Sequence, residues 1–283
     1  MPEFVRIFEM GPRDGLQNEA AMIATADKVA LVDKLSECGF DHIEVTSFVS
    51  PKWVPQMADA AEVLAGIKRK AGVAYTALMP NMRGLEGARA AGADEVAIFG
   101  AASEGFSQAN INCSIAESLE RFRPLVAAAR ADGIPVRGYV SCVIECPYDG
   151  AVKPEAVARV AAELLEMGCY EVSLGDTIGA GTPDTVRAML EAVLQAVPAA
   201  KLAGHFHDTN GRAIENIEVS LGAGLRVFDA AIGGLGGCPY APGAAGNVDT
   251  LAVVRRVEGL GFVTGLDMVR LEEAAEFAKG LVG

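Results

Sequence analysis

The sequence predicts a (β/α)8 TIM barrel with one additional helix at its C-terminus. A unit of helix, glycine and strand recurs along the chain, eight runs have the composition of buried strands, and 283 residues suit one such barrel. A doubly wound open sheet is the alternative. That fold usually carries GxGxxG after its first strand, whereas this chain has GPRDG at residues 11–15. We therefore expect residues 1–283 to form a single TIM-barrel domain.

The eight predicted strands are short runs rich in β-branched and apolar residues, as expected for parallel strands that are covered on both faces. In chain order they are Val5–Glu9, His42–Thr46, Ala74–Met79, Glu95–Phe99, Val136–Ser141, Tyr170–Leu174, Leu202–His207 and Val227–Ala231.

Amphipathic stretches between the strands predict the helices. They include Thr25–Cys38, Ser114–Ala131, Pro154–Met167 and Thr182–Val197, and Asp267–Leu281 would be the additional helix beside the barrel. Five of the helix–strand units contain a glycine shortly before the strand: Gly39, Gly92, Gly133, Gly168 and Gly224. This position predicts a helix C-cap with positive φ, where a Cβ would clash.

Composition narrows the possible partners and the compartment. The net charge is −13, which argues against nucleic acid and anionic membranes but allows an anionic small molecule bound by a local cationic patch. The sequence contains no run of about 18 apolar residues, so it predicts no membrane-spanning helix. The first residues resemble neither a signal peptide nor a transit peptide, so we expect a cytoplasmic protein.

No two of the six cysteines have the CxxC spacing of a zinc ribbon. They are spread over a long chain, which does not indicate a disulfide scaffold. Cys142 and Cys146 have the spacing of one helical turn. Two reduced thiols explain this pair better than half of a zinc site does.

A TIM barrel places its function at the carboxyl ends of the strands. Polar side chains follow several of the predicted strands there, and a glycine-rich loop at residues 233–247 follows the eighth. The polar residues are Arg13, Asp14, Glu44, Thr46, Ser47, Asn81, Ser141, Cys142, Asp176, Thr177, His205 and His207.

A metal site is the first candidate at this end. His205 and His207 are two of only three histidines, and alternation along a strand points both imidazoles the same way. With Asp14 and the amide of Asn247 they would offer mixed oxygen and nitrogen ligands, which favour Mg²⁺ or Mn²⁺ over structural zinc. Two simpler interpretations stay open: an ion pair of Asp14 with Arg13, and Asn247 as the N-cap of a helix from Val248.

Cys238 is the cysteine most suited to chemistry. It lies in the glycine-rich loop between Gly237 and Pro239, where it has no helix face to fill. Cys38, Cys113 and Cys169 lie in apolar or helix-end contexts, which predicts small, inert core residues.

The chain resembles the 3-hydroxy-3-methylglutaryl-CoA lyases of the metal-dependent TIM-barrel lyase/synthase superfamily. The stretches that carry the resemblance are residues 11–19, 46–57, 100–104, 110–114, 173–179, 205–209 and 233–247. It implies that the metal ligands are Asp14, His205, His207 and Asn247, and that the metal is Mg²⁺ or Mn²⁺. Arg13 and Glu44 would be active-site groups, Cys238 the catalytic thiol of a mobile loop, and Gln17, Ser47 and Asn110 would lie on the acyl-CoA side. The chain departs from some members at Ala20 and Phe206.

The activity implied is cleavage of 3-hydroxy-3-methylglutaryl-CoA to acetyl-CoA and acetoacetate. The base that takes the hydroxyl proton would be Asp14 or a group beside the metal, with His205 also possible. Arg13 would stabilise the thioester enolate, Glu44 would orient Arg13 or the metal shell, and Cys238 would protonate the enolate carbon.

Two rival interpretations remain. Condensing enzymes of the same superfamily, such as isopropylmalate or homocitrate synthases, share the Arg-Asp and His-x-His elements but are longer and lack this cysteine loop. A non-catalytic acyl-CoA-binding barrel would need no metal. By family likeness we also expect a homodimer.

Overall fold

Eight parallel strands form a closed barrel in the computed structural model, which describes residues 2–236 and 246–282. Neighbours in the barrel are neighbours in the chain, and Glu9 opposite Ile43 joins the first strand to the second. The strands are β1 (Arg6–Glu9), β2 (His42–Ser47), β3 (Ala74–Leu78), β4 (Glu95–Ala101), β5 (Val136–Ser141), β6 (Glu171–Asp176), β7 (Leu202–Phe206) and β8 (Val227–Ala230). The predicted TIM barrel is confirmed, and the open-sheet alternative is wrong.

Helices surround this barrel and follow the predicted bounds closely. They are α1 (Thr25–Ser36), α2 (Ala60–Gly66), α3 (Met82–Ala90), α4 (Glu104–Ile111), α5 (Ile115–Ala131), α6 (Pro154–Met167), α7 (Pro183–Val193), α8 (Ala213–Gly222), α9 (Thr250–Gly259) and α10 (Met268–Val282). The additional helix, α10, packs against α1, and its buried residues include Ala274 and Ala278. None of the helices in these ranges combines the length and apolar character needed to cross a membrane.

The five glycines proposed as C-caps all have positive φ, between 74° and 118°. Gly168 shows why the position needs glycine: a Cβ there would also lie 2.5 Å from a guanidinium nitrogen of Arg130.

The segment after β5 departs from the prediction. After β5 the chain forms a short antiparallel hairpin in which Glu145–Cys146 pairs with Gly150–Ala151. Cys142 and Cys146 therefore do not share a helical turn, as their spacing suggested; Cys142 has φ 58° and Cys146 lies in the hairpin. Strands of two residues carry no periodic pattern, which is why the sequence did not reveal them.

The amino end of the barrel contains a half-buried cluster of charges around His42. The imidazole Nδ1 lies 2.9 Å from Asp41, its Nε2 lies 3.3 Å from Glu95, and the ring stacks on Phe8. Burial alone would lower the pKa of His42, but the two carboxylates outweigh it and raise the pKa to about 9.

This cluster predicts a pH-dependent stability. Because the folded-state pKa exceeds the ordinary value of about 6.5, His42 stabilises the fold fully below pH 6.5, and the contribution disappears as pH rises through 9. We expect His42→Gln to remove about 2–3 kcal/mol of this pH dependence. Urea unfolding of both proteins at pH 6, 8 and 10 measures it. Parallel pH profiles for the two proteins would contradict the expectation.

Candidate active site

A cavity of about 350 Å³ opens at the carboxyl ends of the strands, where the barrel predicted it. Among its lining residues are nine singled out by the sequence or by the resemblance: Arg13, Asp14, Gln17, Asn110, Ser141, Thr177, His205, His207 and Asn247.

A tight turn after β1 positions the first two of these side chains. The backbone N–H groups of Arg13, Asp14 and Gly15 all donate to the carbonyl of Met10, forming a single π-helical turn over Gly11–Gly15. Arg13 Nη1 then donates to Asp14, and Arg13 Nε donates to Glu44 on β2. The ion pair considered for Asp14 therefore does form, within the cavity.

The two histidines face this turn. Their ring centroids lie 5.4 Å apart, and His205 Nε2 lies 3.8 Å from Asp14 Oδ2. One ligand atom from each of Asp14, His205 and His207 lies within 4.8 Å of the others. Nδ1 of His207 is buried and has no hydrogen-bond partner in the described part of the chain. A buried, unpaired nitrogen beside a carboxylate and a second imidazole fits a metal ligand.

The charges of these groups also suit a cation. Burial would raise the pKa of Asp14, but Arg13 and the histidines lower it to about 2, which keeps the carboxylate ionised. Burial and the neighbouring His205 lower the pKa of His207 to about 4, so its imidazole is neutral at pH 7. Burial opposes protonation of His205 too, yet its contact with Asp229 raises the pKa above the usual value.

Asn247 joins the same group. Its Nδ2 donates to Asp14 Oδ2 at 2.9 Å and to the Leu235 carbonyl at 3.2 Å, and its backbone bridges to His207. The N-cap interpretation of Asn247 is wrong: Asp249 is the N-cap of α9, where its carboxylate accepts from the Leu251 N–H.

A network inside the barrel connects Glu44 to His205. Tyr139 Oη donates to Glu44 and accepts from Arg137 Nη1 at 3.1 Å. Arg137 Nη2 donates to Asp229 at 2.8 Å, and Asp229 lies 3.2 Å from His205 Nδ1. The Asp229 carboxylate thus fixes the orientation of the imidazole and leaves its Nε2 facing Asp14.

Sequence reasoning missed Tyr139, Arg137 and Asp229. A signal for them existed, because Arg137 and Tyr139 alternate on one face of a strand that is otherwise buried, and Asp229 lies within β8. A charge in the interior of a buried parallel strand requires a buried partner.

The remaining predicted residues fall into two groups. Gln17 and Asn110 line the cavity, and Gln17 Nε2 donates to Asp14 at 3.2 Å. Glu44 and Ser47 are buried and do not line it; Ser47 Oγ has no hydrogen-bond partner among the described residues.

Other residues at this end have local structural roles. Asn81 caps α3 by accepting from the Gly84 N–H, and Asp176 accepts from the Ala180 and Gly181 N–H groups.

The cysteines follow the predicted division as far as the structure describes them. Cys38, Cys113 and Cys169 are buried, free thiols. Burial raises the pKa of both the Cys38 and Cys169 thiols to about 12, which disfavours the reactive thiolate. Cys238 lies outside the described residues.

Comparison with known proteins identifies the family of this chain. The model of the HMGL-like family matches residues 4–278, nearly the whole chain. The chain belongs to the HMGL-like family.

Relatives within the HMGL-like family match over almost their full length. A Pseudomonas aeruginosa protein named 3-hydroxy-3-isohexenylglutaryl-CoA/hydroxy-methylglutaryl-CoA lyase is 58% identical, covering 100% of this chain and 94% of that protein. The crystal structure of an HMG-CoA lyase from Brucella melitensis is 64% identical, with a TM-score of 0.98 and 99% of each chain covered. An Acinetobacter baumannii HMG-CoA lyase in complex with coenzyme A and 3-methylmalate is 35% identical, with a TM-score of 0.93 and coverage of 99% and 92%.

Proposed function

We propose that this protein cleaves 3-hydroxy-3-methylglutaryl-CoA to acetyl-CoA and acetoacetate with the help of a divalent cation. The observation that carries the proposal is the cluster of Asp14, His205 and His207 beside the buried guanidinium of Arg13. HMGL-like relatives at 58% and 64% identity, named as lyases for this substrate, support it.

Asp14, His205 and His207 would hold the cation, together with the amide oxygen of Asn247. Asn247 now turns Nδ2 toward Asp14, so a ligand role requires the amide to turn over. Carboxylate and amide oxygens with two imidazoles and no thiolate suit Mg²⁺ or Mn²⁺. When bound, the cation lowers the pKa of the substrate hydroxyl and orients it.

We propose that Arg13 stabilises the departing thioester enolate. Glu44 and Asp14 hold two of its guanidinium nitrogens and keep the pKa of Arg13 high despite its burial. Nη2 makes no hydrogen bond within the described residues and can donate to the enolate oxygen. The Asp14 carboxylate is the first candidate acceptor of the hydroxyl proton at the cavity, because one of its oxygens can bind the cation while the other accepts. Nε2 of His205 is the alternative acceptor only if that nitrogen does not bind the cation.

Cys238 is proposed to protonate the enolate carbon, a role that rests on its loop sequence and the family resemblance. We expect Cys238→Ala to lower kcat by about 10²-fold, the usual range for losing a general acid, and to leave Mn²⁺ affinity unchanged. Steady-state kinetics and a Mn²⁺ titration test both expectations. Cys113→Ala, at a buried thiol outside the cavity lining, is the matched control. Full turnover in Cys238→Ala would disprove the role of the thiol.

A panel of acyl-CoA substrates tests the proposed reaction. We expect acetoacetate and acetyl-CoA from 3-hydroxy-3-methylglutaryl-CoA, loss of activity with EDTA, and recovery with Mg²⁺ or Mn²⁺. Because the Pseudomonas relative is also named for an isohexenylglutaryl substrate, the panel includes that longer analogue. Metal-dependent condensation of acetyl-CoA with an oxo acid would favour a synthase, and acyl-CoA binding without turnover would favour a non-catalytic barrel.

Three further proposals concern the whole chain. Residues 1–283 act as one catalytic domain, the protein forms a homodimer in keeping with the resemblance, and it works in the cytoplasm, where the five buried free thiols stay reduced. Light scattering on the purified protein would overturn the homodimer if it gave the mass of one chain.

A further inference from the structure

Three chain segments meet at Glu9, the last residue of β1. Glu9 Oε1 accepts from the Gly11 N–H at 2.8 Å and from the Ile232 N–H at 2.8 Å. Glu9 Oε2 accepts from Thr250 Oγ1 at 2.7 Å. One carboxylate therefore contacts the turn after β1, the segment after β8 and the first residue of α9.

The candidate metal ligands and Arg13 lie on these segments. Arg13 and Asp14 lie on the turn that begins at Gly11, and Asn247 lies three residues before Thr250. Leu235 follows Ile232 and accepts from Asn247 Nδ2. A displacement of any one segment would change the separation of the groups around the proposed cation.

The segments approach too closely to tolerate extra atoms. A Cβ on Gly11 would lie 2.7 Å from Glu9 Oε1, and one on Gly15 would lie 2.7 Å from the Leu235 Cβ. A Cβ on Gly236 would lie 2.7 Å from Asn247 Nδ2. Gly11 lets its backbone approach the Glu9 carboxylate, and Gly15 and Gly236 let the turn after β1 approach Leu235 and Asn247. A shift of one segment is therefore passed to the others.

We propose that Glu9 is a positioning residue that sets the spacing between Asp14 and Asn247 by joining the Gly11 turn, the Ile232 segment and the start of α9. Glu9 is fully buried and does not line the cavity, so it acts through these segments and touches no substrate. The inference rests on the proposed function, because it takes Asp14 and Asn247 as metal ligands.

The chemistry of the contacts predicts which substitution is tolerated. Both backbone donors contact the same oxygen, Oε1, which glutamine retains. The glutamine Nε2 can donate to Thr250 Oγ1 in place of the present hydrogen bond. Burial raises the pKa of Glu9 to about 7, so a neutral side chain is already well populated at neutral pH.

The test is a Mn²⁺ titration of the full chain followed by electron paramagnetic resonance, with kcat and KM measured in parallel. We expect Glu9→Leu to weaken Mn²⁺ binding about 10-fold or more and to lower kcat more than it raises KM, while Glu9→Gln matches the native protein in Mn²⁺ affinity and kcat. Thr250→Val removes one contact of the three. It gives an intermediate loss of about threefold, and it preserves the test if Glu9→Leu does not fold.

Val193→Ala is the control for stability alone, because it removes buried volume from α7 and leaves the three segments intact. If Glu9→Leu and Thr250→Val bind Mn²⁺ as tightly as Val193→Ala does, the positioning role is wrong. If the native protein itself binds no Mn²⁺, the proposed function fails and this inference with it. If the native protein binds Mn²⁺ and the Glu9→Leu and Thr250→Val variants bind it equally well, the positioning role of Glu9 is rejected and the proposed function stands.

Discussion

Replacing Arg13 by methionine is expected to lower kcat by about 10³-fold or more while changing KM much less. The enolate charge develops as the carbon–carbon bond breaks, so a donor aimed at that oxygen acts mainly on the transition state. The guanidinium also pairs with Asp14 and Glu44, so its loss removes three interactions of the same site. Steady-state kinetics at saturating Mn²⁺ measure the separate effects on kcat and KM.

Arg13→Lys separates charge from geometry. The lysine ammonium keeps the positive charge but lacks the planar fork with which arginine donates to Glu44, Asp14 and substrate. The kcat of Arg13→Lys should therefore fall between the native and Arg13→Met values. Arg187→Met removes an exposed arginine that pairs only with Asp184 in the described structure, and should leave the kinetics unchanged. An equal rise in KM with kcat preserved would assign Arg13 to ground-state binding instead.

Replacing Arg137 by leucine is expected to lower the free energy of unfolding by about 3–5 kcal/mol. The side chain is about 1% exposed and pairs with both Asp229 and Glu171 at 2.8 Å. Its removal leaves two carboxylates buried without their cation, and the desolvation cost of those charges is then no longer offset. Urea unfolding measures the loss, and Mn²⁺ affinity should fall as well, because Asp229 orients His205.

Arg256→Leu is the matched surface control for Arg137→Leu. Arg256 forms an ion pair with Glu218 but is 45% exposed, so solvent screens the pair and its loss should cost far less stability than the loss of Arg137. Adding Asp229→Asn to Arg137→Leu should recover part of the lost stability, since it removes one of the unpaired charges. A loss in Arg137→Leu no larger than in Arg256→Leu would show that the interior ion pairs contribute little.

Periodicity and end signals made most of the barrel predictable. Gly39, Gly168 and the other C-cap glycines end their helices with positive φ. Glycine favours this conformation locally, so the helix ends can be predicted from the sequence. The strand-end rule then located Arg13, Asp14 and the two histidines, because parallel strands in a barrel all end on the same side.

The residues that escaped prediction depend on distant contacts. Arg137, Tyr139 and Glu9 lie within strands, where pattern alone assigns them to the interior but names no partner; Arg137 and Asp229 are 92 residues apart. Asn247 and Asp249 are both good N-cap types, and only the start of α9 at Thr250 decides between them.

The network that joins Arg13 to His205 through the barrel also sets the net charge of the barrel interior. Two guanidiniums, Arg13 and Arg137, face four carboxylates inside it, those of Asp14, Glu44, Asp229 and Glu171. A histidine that binds a metal is neutral, so with His205 and His207 as ligands this interior lacks two positive charges, which is the charge of one divalent cation. This charge balance favours a divalent cation over a monovalent one.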